Sequence, residues 1–241
     1  MPIDALFGAL SSSLAAVGSR EDSLSRGIER TLRLSGALFA LSAGPALAVT
    51  LAFANLAFPP SFTGLPVSAV ALGVTSLLVS SANPILGILF AKREARPLVW
   101  ASGLALLANL LASAVLIPAF LLTGAIAANM IGSAVFVGLL WIPMLKTDLA
   151  PALRSYIASA TIPLALATAW ALPLATVDYS APVCAATVLL ALGTSLLLGR
   201  VLPGLVEGDR RALLAVTHRR ITTPFATILG AFVRVRPDDA A

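Results

Sequence analysis

Two long stretches without a charged side chain constrain this sequence more than any other feature. Neither the stretch from Leu34 to Ala91 nor that from Pro97 to Leu145 contains Asp, Glu, Lys, Arg or His. A soluble domain cannot contain such stretches, because its surface requires charged and polar side chains. Each stretch is long enough for two membrane-spanning helices of about 20 residues joined by a tight turn. We therefore expect a polytopic membrane protein.

The composition agrees with this interpretation and narrows the classes of partner. Hydrophobic residues make up 59% of the chain and charged residues 11%, whereas a typical soluble domain has about 25% charged residues. The net charge of +5 does not indicate nucleic-acid binding, because the cations lie at the ends of apolar segments. Contact with anionic lipid headgroups explains them better. The single cysteine, Cys184, excludes a disulfide framework within the chain.

The apolar segments predict an all-α fold, a polytopic transmembrane helix bundle with about six full spans and a partial N-terminal helix. Prolines inside the spans are compatible with this fold, because neighbouring helices can satisfy the backbone carbonyls that proline leaves free. The partial helix is expected at 5–18, and the full spans at 34–58, 66–90, 98–117, 124–145, 156–175 and 182–198.

The chain divides into three parts by charge and hydropathy. Ser19 and Asp22 resemble a capping box that opens a short cytoplasmic helix through Leu32. The apolar segment 221–233 is too short to cross a bilayer and is expected to lie in its interface. The parts are 1–33, a partial helix and linker helix; 34–200, the transmembrane bundle; and 201–241, a cytoplasmic or interfacial amphipathic tail.

The loops alternate in charge, and this alternation predicts the orientation. Cations occur before residue 34, at 92–96, at 146–154 and from residue 200 onward, whereas 59–65, 118–123 and 176–181 contain no Lys or Arg. The side that bears the cations is expected to be cytoplasmic. Six crossings, an even number, return the chain to that side. We expect a multi-pass protein of the cell membrane with cytoplasmic basic loops and a cytoplasmic C-terminus.

The sequence offers little that an enzyme could use. The only histidine, His218, stands in the basic tail. No cluster of His, Cys and carboxylates has the spacing of metal ligands, and no pair of carboxylates in an outer loop suits glycosidic-bond chemistry. No Gly-rich phosphate loop with a lysine is present. We expect no catalytic, metal or cofactor site and no enzymatic activity.

Four uncharged polar residues inside the spans are the candidates for substrate binding. The six full spans contain no Asp, Glu, Lys, Arg or His, which argues against proton or ion coupling within this part of the protein. The polar residues that remain include Asn55, Asn83, Asn109 and Asn129. Asn side chains also form hydrogen bonds between helices, and this structural role competes with substrate contact.

The order of several short motifs resembles a known transporter family. The stretches that carry the likeness are 10–18 before the charged 21–33; Ser80-Ser81-Ala82-Asn83 before Ala91-Lys92-Arg93; and Ala108-Asn109-Leu110-Leu111, Leu116-Ile117-Pro118 and Gly124-Ala125-Ile126-Ala127. They are similar to the C-terminal half of polysaccharide (Wzx-type) flippases. That family belongs to the multidrug/oligosaccharidyl-lipid/polysaccharide exporter superfamily.

The resemblance implies one lobe of a two-lobe transporter that moves a lipid-linked oligosaccharide across the membrane. The chain has the length of about one lobe and begins inside what looks like a helix, so we expect a truncated C-terminal lobe. The implied partners are membrane lipids, a lipid-linked glycan and an N-terminal lobe or a second copy of the chain, with no nucleic acid. A non-transporting membrane module or remnant and a multidrug-type exporter remain as alternatives. The exporter would be favoured by a carboxylate deep in a span.

Overall fold

Helices form all the regular structure in the described part of the chain. The computed structural model describes residues 21–58, 62, 64–178 and 180–201, which contain no strand. The expected partial helix at 5–18 and the tail beyond residue 201 lie outside these residues. The helices are α1 (Glu21–Ala57), α2 (Leu65–Ser80), α3 (Asn83–Ala91), α4 (Arg96–Met144), α5 (Ala150–Leu174) and α6 (Ala181–Val201).

Five helical segments are long and apolar enough to cross a membrane. This confirms the all-α class and is compatible with a membrane protein. The expected spans 98–117 and 124–145 lie along the single long segment that contains α4, so the expected count of about six spans is not confirmed. The segments are Gly27–Ala57, Leu65–Phe90, Arg96–Met144, Ala150–Leu174 and Ala181–Leu198.

The linker helix and the first span form one helix rather than two. Helix α1 extends over 37 residues from Glu21 to Ala57. No Gly or Pro separates the linker from the span, so the backbone hydrogen bonds continue. Ile28 and Leu32 are buried, which shows that the linker segment packs against the bundle. Pro45 lies within α1 without ending it.

The second expected span, 66–90, is interrupted between α2 and α3. Pro84 stands in the first turn of α3 and has no N–H with which to continue the helix. The Ser81 hydroxyl donates a hydrogen bond to the Leu78 carbonyl. The Tyr156 hydroxyl of α5, which is buried, donates to the Ser81 carbonyl over 2.6 Å. The backbone oxygen of Ser81 is thus paired inside the bundle.

Helix α4 reverses direction at Leu121. The dihedral angles of Leu121, φ 52° and ψ −122°, are not helical and match the first central residue of a type II′ turn. Gly124 lies directly against the backbone carbonyl of Leu116, and a methyl group added to Gly132 would lie 2.8 Å from Asn109 Cβ. The halves 96–120 and 122–144 therefore run antiparallel in contact. The expected loop at 118–123 is reduced to this turn.

Helix α1 is the centre of the bundle. Its residues Phe39, Leu47 and Leu51 are buried in the core. Gly36 approaches Ser159 of α5, and Gly44 approaches the backbone of Ala191 in α6. These glycines let the helices pack closely, as small residues do in membrane bundles.

Two of the helix ends that bear cations lie at the same end of the α4 hairpin. Because the halves of α4 run antiparallel, Arg96 and Lys146 lie at the same end. The Tyr156–Ser81 hydrogen bond brings the first turns of α5 beside the α2–α3 break. The contact between Gly36 and Ser159 brings the Arg33 region of α1 to that end.

Candidate functional site

A polar cavity lies between the two halves of α4 and α2. Its volume is about 180 Å³. Two of the four candidate residues, Asn109 and Asn129, line it together. The other lining side chains that matter here are Val79, Leu106, Ser133 and Phe136.

The turn at Leu121 brings residues distant in sequence to this cavity. Asn109 lies in the first half of α4 and Asn129 in the second. Gly132 has no side chain, and its backbone packs against Asn109, so the two halves can approach closely enough for both amides to line one cavity. Ser133 follows Asn129 by one helical turn and faces the same side of its helix.

The amides in the cavity have donors and acceptors that make no hydrogen bond with the described residues. Asn109 Oδ1 accepts a hydrogen bond of 3.2 Å from the Ser113 hydroxyl. Among the described residues, no side chain or backbone group pairs with Asn109 Nδ2 or with the Asn129 amide. Each amide offers two N–H donors and a carbonyl acceptor. The site therefore suits hydroxyl groups, amides or water.

The lining contains no ionisable side chain, so neutral hydrogen bonds dominate its chemistry. The cavity, at about 180 Å³, is smaller than the about 300–1,000 Å³ of typical ligand pockets. A large headgroup does not fit inside it, whereas one or two polar groups of a larger ligand do. The cavity is thus a polar contact point rather than an enclosed binding chamber.

The cavity lies midway along the hairpin and at the surface of the described bundle. Asn109 is midway between Arg96 and the turn at Leu121. Leu106 is 60% exposed and Val79 is 36% exposed, so the cavity opens outward. The half 96–120 is peripheral, because Ala101 is its only fully buried residue.

The other two candidate residues do not join this site. Asn55 Nδ2 donates a hydrogen bond of 2.8 Å to the Leu51 carbonyl of its own helix. Asn83 begins α3 at the break that follows α2. Neither residue lines the polar cavity.

A larger groove lies between α2 and α5. Its volume is about 660 Å³, and Val74, Leu164 and Leu172 are among its lining residues. The hydroxyls of Thr161 and Thr168 in the lining both donate to carbonyls of their own helix. The groove therefore presents an apolar surface, which suits a hydrocarbon chain.

Sequence reasoning missed the serines that accompany the two asparagines. Ser113 follows Asn109 by four residues and Ser133 follows Asn129 by four. Residues four apart share a helix face, so this repeated Asn–Ser spacing is a signal that the sequence contains.

Among the described residues, no three His, Cys, Asp or Glu side chains are grouped so that they could hold a metal ion. Comparison of the chain with protein-family models, curated proteins and solved structures finds no match.

Proposed function

We propose that this chain is one lobe of a membrane transporter that moves lipid-linked oligosaccharide between leaflets, for the synthesis of a polysaccharide or cell-surface glycan. The observation that carries the proposal is the pair of amides, Asn109 and Asn129, in one cavity midway along α4. Substrate sites of secondary transporters lie near the bilayer midplane, between helices. The motif resemblance described above supplies the substrate class.

The proposed layout has six crossings. The halves 96–120 and 122–144 are antiparallel and meet at Leu121. Each has about 23–25 residues, which is enough for one span of about 20. With α4 counted as two spans, the cation-bearing connections all fall on the side that the positive-inside tendency assigns to the cytoplasm.

In this layout the polar cavity lies at the midplane of the bilayer. The middle of the span 98–117 is within two residues of Asn109, or about 3 Å at 1.5 Å per residue. Unpaired amides at this depth are unfavourable in pure hydrocarbon. They are suited to a path along which sugar hydroxyls pass, because hydroxyls both donate and accept hydrogen bonds.

The apolar groove between α2 and α5 suits the other part of such a substrate. A lipid tail needs no hydrogen bond, and the surface of the groove is almost entirely apolar. Headgroup and tail would then contact different surfaces of the lobe, with no covalent bond made or broken.

One observation favours a different function. The polar cavity holds about 180 Å³, which is too little for a whole oligosaccharide headgroup. A non-transporting membrane module would have the same small cavity. The multidrug-type alternative gains no support from the cavity, because its lining has no carboxylate.

Flipping can be measured with the purified chain in vesicles that contain a fluorescent polyprenyl-linked disaccharide. A membrane-impermeant quencher reports the rate at which the lipid reaches the outer leaflet. We expect flipping by the wild type and a decrease of about tenfold in Asn109→Leu and Asn129→Leu, because losing one hydrogen bond to the moving headgroup costs about 1.4 kcal/mol. Asn55→Leu is the matched control and should flip at the wild-type rate. No flipping above protein-free vesicles would favour the non-transporting module.

The layout has its own test in a Cys184→Ser background. A cysteine replacing Thr123, in the turn of α4, should react with an impermeant thiol reagent from outside the cell. A cysteine replacing Glu94 should react only after permeabilisation. Equal protection of both positions would contradict six crossings, since the turn would then not reach the outer surface.

A further inference from the structure

We infer that the open end of the α4 hairpin, opposite the turn at Leu121, binds the headgroup of an anionic phospholipid. Cations at the ends of apolar segments contact lipid headgroups in general, but the hairpin gathers several of them at one place. Binding there requires neither transport nor the asparagines of the polar cavity. The site consists of four cations: Lys92, Arg93, Arg96 and Lys146.

The hairpin brings together cations that are distant in the sequence. Arg96 begins α4, and Lys146 follows shortly after its end. The antiparallel contact of the two halves places these two residues at the same end. Lys92 and Arg93 lie in the short turn that connects α3 to α4, just before Arg96. All four residues are exposed, so a bound anion can contact them.

The positive charge at this end is not neutralised within the described part of the chain. Glu94 and Asp148 are the only carboxylates in the two connections, 92–96 and 145–149. Among the described residues, none of the four cations forms an ion pair. The cations therefore exceed the carboxylates by two and are available to an external anion. This excess favours a negatively charged headgroup over a zwitterionic one.

The local backbone does not explain why arginine stands at position 93. Arg93 has a φ of 56°, in the left-handed region. Its N–H donates to the Phe90 carbonyl, and the Glu94 N–H donates to the Leu89 carbonyl, which is the Schellman arrangement at the end of a helix. Glycine is the usual residue there, because other residues are strained in this conformation. An arginine in place of the favoured glycine adds a cation to the open end, as binding of an anion requires.

Exposed apolar side chains beside the cations select a lipid over a soluble anion. Trp100 follows Arg96 by one helical turn, lies on the same face and is 62% exposed. Phe90, at the end of α3, and Val99 are also exposed. Tryptophan is enriched at the depth where headgroups meet the hydrocarbon. A ligand that contacts both the cations and this apolar surface has an anionic headgroup joined to a hydrocarbon chain, as an anionic phospholipid has.

Quenching of Trp100 fluorescence measures binding at this site. The full-length chain is reconstituted in phosphatidylcholine vesicles that contain a small fraction of brominated lipid, either anionic phosphatidylglycerol or zwitterionic phosphatidylcholine. The signal of Trp100 is the difference between each chain and its Trp100→Phe counterpart. We expect a preference for phosphatidylglycerol on the order of 25-fold, because each of the two excess cations contributes about fivefold, or about 1 kcal/mol. Equal quenching by the two lipids would overturn the inference.

Single substitutions test the contribution of each charge. Arg96→Gln and Lys146→Gln should each lower the preference for phosphatidylglycerol about fivefold, and Glu94→Gln should raise it by about the same factor. Arg200→Gln is the matched control and should keep the wild-type preference, because Arg200 is an exposed cation at the end of α6. Equal losses in Arg200→Gln and Arg96→Gln would mean that the lipid is attracted to the whole protein, and no site would exist.

Arg93→Gly separates binding from folding. This substitution should lower the preference about fivefold and should also raise the SDS fraction at which the chain unfolds in mixed micelles, because glycine is favoured in the left-handed conformation. A lower preference together with a lower unfolding midpoint would attribute the effect to folding and contradict the role of Arg93. An unchanged preference would exclude Arg93 from the site.

Two conditions distinguish an anionic lipid from other occupants. Raising the salt to about 1 M, where the Debye length is about 3 Å, should remove most of the preference, and an unchanged preference would contradict binding by exposed charges. Inorganic phosphate, compared with chloride at equal ionic strength, should not displace the brominated lipid. Displacement would assign the site to a soluble anion and overturn the inference. Flipping is not measured in any of these experiments, so their failure and the failure of the proposed function are distinguishable.

Discussion

Substituting Gly124 by Ala should disrupt the hairpin of α4 through a backbone clash. A methyl group at Gly124 would overlap the carbonyl oxygen of Leu116 and lie 2.5 Å from its carbonyl carbon and 3.0 Å from the backbone nitrogen of Ile117. Carbon atoms in favourable contact are about 3.5–4.0 Å apart. The two halves must therefore separate by about 1 Å or more, because backbone atoms cannot rotate away as a side chain can.

Two opposing contributions determine the expected change in the free energy of unfolding of Gly124→Ala. Overpacking costs about 1–3 kcal/mol, and the upper value applies here because the obstacle is backbone. Replacing Gly by Ala within a helix contributes about 1 kcal/mol of stability. The expected net loss is about 2 kcal/mol, or about a 30-fold change in the unfolding equilibrium at 1.4 kcal/mol per factor of ten.

The measurement is reversible unfolding of the purified chain in mixed micelles of increasing SDS fraction. Gly138→Ala is the matched control, because Gly138 lies in the same half of α4 and an added methyl would meet no atom within 4 Å. Gly138→Ala should be stabilised by about 1 kcal/mol, so the two variants should differ by about 3 kcal/mol. If both variants unfold at the same SDS fraction, the close contact between the two halves is refuted.

Five further substitutions test four other local features, each by the same unfolding measurement. Leu121→Gly should stabilise the chain by about 1 kcal/mol, because relief of about 1–3 kcal/mol of strain at a positive φ exceeds the entropic cost of glycine of about 1 kcal/mol. Leu122→Gly has no such strain to relieve and should destabilise by about 1 kcal/mol. Tyr156→Phe should cost about 1–2 kcal/mol, because it leaves the carbonyl at the α2–α3 break without its buried donor. Ser35→Ala should be neutral or stabilising, because the buried Ser35 hydroxyl has no partner in the part of the chain described. Ser195→Ala should cost about 1 kcal/mol, because it removes a hydrogen bond between α6 and α1.

For the first three of these features, one outcome would contradict the prediction. Equal effects of glycine at positions 121 and 122 would mean that the positive φ stores no strain. An unchanged midpoint for Tyr156→Phe would mean that water or another group replaces the phenol. A large loss in Ser35→Ala would indicate a partner for that hydroxyl outside the described residues.

The helix ends were predictable where charge and proline mark them. The fifth and sixth spans were expected at 156–175 and 182–198 and are found as Ala150–Leu174 and Ala181–Val201. The six-residue difference at the start of α5 arises because Arg154 is exposed at the first turns, so a helix can begin before its apolar segment does. The break between α2 and α3, inside the second expected span, was harder to predict. Proline is also tolerated inside membrane helices, so Pro84 alone does not indicate that a helix ends there.

The cavity could be predicted only in part. An uncharged stretch with Pro118 and Gly124 indicates a reversal, and a reversal implies that Asn109 and Asn129 lie near one another. The residue at the turn could not be predicted, because leucine rarely adopts a positive φ and the sequence offers glycine three positions later. The glycine is at 124 and not at the turn because the second half of α4 packs there against the backbone of Leu116, which leaves no space for a side chain.

The turn at Leu121 also has a consequence for biosynthesis under the proposed layout. No charged side chain lies between Arg96 and Lys146, so nothing in the turn resists passage through the hydrocarbon. The two halves can then insert together as one hairpin, with each satisfying its own backbone hydrogen bonds. Asn109 and Asn129 would enter the bilayer already beside each other, and neither amide would face lipid alone while the chain is being made.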